Sequence, residues 1–86
     1  MTKEEKILLY NNMLKRVETK YRDKNYSFYL CAILILCGCF KDIDELLELE
    51  RHRPHRKDGF WFPLNNEGAE KRIAIIKAAI KEVTNG

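Results

Sequence analysis

The 86-residue sequence has no apolar run long enough to cross a membrane, one serine, two prolines, four glycines and an odd number of cysteines. Each scarcity excludes something. The longest uninterrupted apolar stretch, Phe28 to Phe40, would make a helix about 20 Å long, against a hydrocarbon core of about 30 Å. That excludes a membrane partner for this segment. The start, "MTKEEKILLY", carries charges where a signal sequence needs its apolar region, and no lipidation motif is present, so export is not expected. Cys31, Cys37 and Cys39 are too few and odd in number for a secreted disulfide framework, which points to a reducing, cytoplasmic compartment. With no repeat, no low-complexity tract and no linker, residues 1–86 read as a single domain. A domain of this size hides only about 60–65% of the surface of its unfolded chain, which makes a homo-oligomer a reasonable expectation.

What is present is helical periodicity. Ile7, Tyr10, Leu14, Val17 and Tyr21 recur at alternating spacings of three and four, with Leu9 and Met13 widening the stripe. Ala69, Ile73, Ile76, Ile80 and Val83 do the same, flanked by Ile75 and Ala79. Thr2 and Glu5 form a capping box, and Asn65 or Asn66 precedes the last helix with Glu67 in its first turn. Between them, "YSFYLCAILILCGCF" (Tyr26 to Phe40) is apolar all round and ends at Gly38, as a helix buried by its neighbours would. "DIDELLELERH" predicts a short acidic helix that starts with Asp42 and Glu45 and stops before Pro54. The expected fold class is all-α: a small helical bundle of three main helices (2–22, 26–38 and 66–84) plus one short helix (42–52). No stretch reads as a strand.

Catalytic layouts are missing. There is no G-x-S-x-G, no Gly-rich phosphate loop and no paired His and Glu on a helix face, and Ser27 reads as a helix-start residue. Cys39 has no electropositive setting that would activate its thiol. Cys37, Cys39, His52 and His55 have the right donor types for tetrahedral zinc. However, one intervening residue inside an apolar helix end points the two thiols apart, and buried cysteine behaves as a small hydrophobe. The sequence implies no enzyme, no metal and no cofactor. The carboxylates of "DIDELLELE", spaced among leucines, read as an ordinary acidic outer face.

The net charge of +3 is mild, yet it is arranged in blocks. Residues 1–25 carry about +3, 41–50 about −4, 51–58 about +3 and 65–86 about +1. "RHRPHRKDGFWFPL" is the stretch that packing explains least. It holds Arg51, Arg53, His55, Arg56 and Lys57, followed by Phe60, Trp61 and Phe62. Cations beside aromatics suit a protein interface, and they also suit phosphates and stacked bases. The alternative is structural: the cations balance the neighbouring acidic helix, and the aromatics fold back onto the bundle, with Gly59 allowing the turn and Leu64 stapling the last helix. Lys71 and Arg72 on the last helix extend the basic surface if the first and last helices lie side by side. No helix-turn-helix is evident, because the acidic helix is unsuited to a DNA groove.

The block "WFPLNNEGAEKRIAIIKAAI", Trp61 to Ile80, resembles a recurring C-terminal pattern, W-F-P-x4-G-x-x-K-R-I, in small uncharacterised proteins of bacteriophages and mobile elements of gut bacteria. It covers about a quarter of the chain and is not a catalytic signature, so it transfers no functional residue. The resemblance implies a setting, a cytoplasmic accessory protein that acts by binding a macromolecule. Taken together, the sequence points to a non-enzymatic interaction protein with Arg51, Arg53, His55, Arg56, Lys57, Phe60, Trp61, Lys71 and Arg72 at its binding surface. A protein partner is favoured over nucleic acid, since the acidic block lies close by.

Overall fold

A computed structural model of the chain describes residues 2–19, 26, 29, 30, 43–54, 56–58 and 64–86. These form three α-helices: α1 (Lys3–Glu18), α2 (Asp44–Arg51) and α3 (Asn66–Asn85). The fold is all-α. Most of the expected helix over 26–38 lies outside the described residues, as do Tyr21 and the three cysteines. Tyr26, Tyr29 and Leu30 are described and are helical in backbone. No helix among the described residues is long and apolar enough to cross a membrane.

Local chemistry sets the helix ends. At the start of α1 the Glu5 N–H donates to Thr2 Oγ1 at 3.1 Å and the Thr2 N–H donates to Glu5 Oε1 at 3.3 Å, which completes the expected capping box. Glu4 and Glu5 in the first turn and Lys15 and Arg16 in the last both suit the helix dipole. The helix stops a turn earlier than the spacing to Tyr21 suggests. Thr19 leaves the helical region at ψ 88°, and its N–H and Oγ1 both donate to the Lys15 carbonyl, at 3.0 and 2.7 Å. These bonds satisfy the Lys15 carbonyl at the last turn, one of the acceptors a helix end leaves open.

The other two helices begin differently. Ile43, not Asp42, is the residue that caps α2, and it supplies no side-chain hydrogen bond; Asp42 itself lies outside the described residues. Burial substitutes for the cap, since Ile43 is one of the most buried side chains. For α3, Asn65 is the cap, and its side-chain oxygen accepts from the Gly68 N–H at 2.7 Å.

The core sits chiefly between α1 and α3. Tyr10, Met13 and Val17 from α1 join Ala69, Ile76 and Ala79 from α3, with Leu46 of α2 and with Ile43, Tyr26 and Leu30, in one buried cluster. Each large side chain in it contributes about 1.5–3 kcal/mol through removal from water. On α3 the buried stripe is Ala69, Arg72, Ile76 and Ala79, rotated from the expected one, while Ile73, Ile80 and Val83 are only partly buried. That rotation brings a charged residue inward.

Its partner comes from α2. Glu50 is 6% exposed and Arg72 5% exposed, and Arg72 Nε donates to Glu50 Oε1 at 2.5 Å. Arg72 Nη1 also donates to the Gly68 carbonyl at 3.0 Å, and Arg53 Nη1 donates to Glu50 Oε2 at 3.3 Å. The acidic helix is therefore not simply an acidic outer face. Its last carboxylate is buried, because Ile43, Leu46 and Glu50 fall at spacings of three and four and share the inward side.

Replacing a buried pair by apolar groups can be neutral, but removing one member leaves an uncompensated buried charge. Arg72→Met and Glu50→Gln are each expected to cost about 3–5 kcal/mol. In thermal denaturation the double variant should lose less than the sum of the two by about 1 kcal/mol or more. Strict additivity would show that the two charges are not coupled.

Candidate partner-binding groove

α2 and the chain that leaves it, with the N-terminal half of α3, bound an open groove of about 660 Å³. On one wall, α2 supplies Glu45, Glu48 and Leu49, and the chain continues through His52, Arg53 and Pro54. The opposite wall is made by Leu64, Asn65, Gly68, Lys71 and Arg72. Gly68 helps to keep the space open. A Cβ there would lie 3.1 Å from Asn65 Oδ1 and 3.4 Å from Arg72 Nη1, crowding both the helix cap and the buried ion pair.

The structure sorts the candidate cations into two groups. Arg53 and Arg72 are withdrawn from the surface: their side chains are 11% and 6% exposed, and both reach Glu50. Arg51, Arg56, Lys57 and Lys71 are exposed. Of these, Arg51 Nη1 meets Glu48 Oε1 at 2.7 Å and Arg56 Nη2 meets Asp58 Oδ2 at 3.1 Å. Lys71 makes no ion pair among the described residues. His52 Nε2 lies 3.4 Å from Glu48 Oε2, a contact that becomes an ion pair when the imidazole is protonated. The cations at 51 and 53 thus do balance the acidic helix, as one of the two sequence readings held. His55, Phe60 and Trp61 lie outside the described residues, as do Cys37 and Cys39 of the zinc quartet.

Three of these features escaped sequence reasoning. Glu45, Leu49, Leu64 and Gly68 come together only through the approach of α2 to α3. The inward positions of Glu50 and Arg72 left a legible trace: each interrupts an apolar stripe at a core spacing, one with an acid and the other with a base. Tyr26 is the third. It is 2% exposed, and its hydroxyl has no hydrogen-bond partner among the described residues. Burial pushes its phenol well above the ordinary value near 10, the Glu50 carboxylate pushes in the same direction, and Arg72 and then Arg53 pull it back.

Among the described residues no group of three or more His, Cys, Asp and Glu side chains is placed to hold a metal ion. Comparison with known protein families, with curated proteins and with solved structures finds no match to this chain.

Changing Arg51, Arg56 and Lys57 together to Ala is expected to leave stability within about 1 kcal/mol of the parent in urea denaturation. Arg53→Ala should cost about 1–3 kcal/mol, because it strips a hydrogen bond from a buried carboxylate. Equal effects would place Arg53 on the surface.

Tyr26 generates an alkaline prediction. A phenol whose folded pKa is raised contributes stability that is fully present below the unfolded value, about 10, and is lost as pH rises toward the folded one. In a spectrophotometric titration one tyrosine should resist ionisation until the chain unfolds, and Tyr26→Phe should flatten the fall in stability above about pH 10. An unchanged alkaline slope in that variant would remove Tyr26 as its source.

Proposed function

We propose that this chain is a non-enzymatic interaction protein whose partner is another protein. The observation that carries this reading is how the cations near the groove are engaged. Arg53 and Arg72 are tied to Glu50 inside the fold, Arg51 and Arg56 each meet a carboxylate, and exposed Glu45 and Glu48 line the same groove as Lys71. A phosphate backbone needs cations that are available and a surface without competing acids. A protein surface is matched by mixed charge around an apolar floor.

The proposal has a setting as well. The resemblance of Trp61 to Ile80 to proteins of phages and mobile elements supports an accessory role in a bacterial cytoplasm, and the narrow stability margin of so short a chain supports a homo-oligomeric form.

The test is affinity capture from bacterial lysate at low and moderate salt, with and without nuclease. A protein retained through nuclease and through moderate salt is the expected result. Recovery of nucleic acid that falls away steeply with salt would replace this reading with phosphate-directed binding.

A further inference from the structure

The groove's two walls differ in sign. Glu45 on the α2 side and Lys71 on the α3 side are both exposed, and neither makes an ion pair among the described residues. The wall carrying Lys71 is also the N-terminal end of a 20-residue helix, where the dipole adds partial positive charge. On the wall carrying Glu45, Glu48 stands a turn further along but already meets Arg51, which leaves Glu45 as the acid without an ion pair among the described residues there. Leu49, Pro54 and Leu64 give the floor apolar surface, and none of the three is fully buried.

We propose that this groove seats a short segment of a partner protein in which a large apolar side chain lies between a carboxylate and a cation. The carboxylate meets Lys71 and the start of α3, the apolar side chain covers Leu49, Pro54 and Leu64, and the cation meets Glu45. This rests on the interaction reading above and specifies its partner. A uniformly acidic segment is repelled by Glu45, and a uniformly basic one by Lys71 and the helix end. Opposed walls of opposite sign therefore select both the composition of the segment and its direction in the groove.

The probe is a displayed library of random 12-residue peptides, selected against the full chain, against Lys71→Glu and against the reversal Glu45→Lys with Lys71→Glu. Both positions are exposed and outside the ion pairs of the fold, and circular dichroism checks that each variant remains helical. The parent is expected to enrich peptides with an acid and a base flanking an apolar residue. Lys71→Glu should weaken them about fivefold, and the double reversal should enrich the opposite charge order. An enriched peptide should also shift the amide resonances of Leu49 and Gly68 in the unaltered chain and leave Thr84 unmoved. The absence of any enriched pattern, an identical pattern from parent and reversal, or shifts confined to residues outside the groove would overturn the proposal. A nuclease-resistant protein captured equally by parent and reversal would overturn it while leaving the broader reading intact.

Discussion

The contact between Arg72 and Glu50 is the constraint on which the placement of α2 depends. α1 and α3 share most of the apolar core and hold each other through it, whereas α2 is eight residues long and offers Leu46, preceded by Ile43, to the same cluster. A helix of two turns has too little apolar surface to fix its own orientation, and on its own in water it would not persist. Directional bonds supply what area does not. Glu50 accepts from Arg72 and Arg53 at once, so the end of α2, the chain that leaves it and the first turns of α3 meet at one carboxylate.

Burying these charges has a cost, and the geometry shows how it is offset. Taking a carboxylate and a guanidinium out of water is expensive unless their remaining hydrogen-bonding capacity is also met. Arg72 meets part of its capacity through the Gly68 carbonyl, four residues back on its own helix, and Gly68 has no side chain to obstruct that bond. The same glycine leaves the groove open above the pair. The buried ion pair and the groove are therefore linked through one residue: what admits the buried arginine also keeps the groove open. Tyr26 lies within the electrostatic reach of this cluster, and its buried hydroxyl is a neutral polar group among charged ones.

Helix identity was legible in the sequence because it depends on spacing and on caps, both local. Thr2 with Glu5 and Asn65 with Gly68 act as their residue types predict. Helix limits were less so. α1 ends at Glu18, where Thr19 leaves the helical region at ψ 88°, a change of backbone that the apolar stripe does not register. The candidate surface was the least legible part. Counting cations along 51–58 treats Arg51, Arg53 and Arg56 alike, although Arg53 folds onto a buried carboxylate and Arg51 lies 68% exposed beside Glu48.

By itself the sequence determined the fold class and the blocks of charge, and it located the three described helices within a few residues, since each depends on neighbours less than about two turns away along the chain. Which face of α3 turns inward, and which arginines remain at the surface, was decided only by tertiary structure. A charged side chain can follow its helix into the interior only where an opposite charge from another helix waits, and Glu50 lies 22 residues from Arg72. Periodicity within either helix does not carry that distance; the approach of α2 to α3 does.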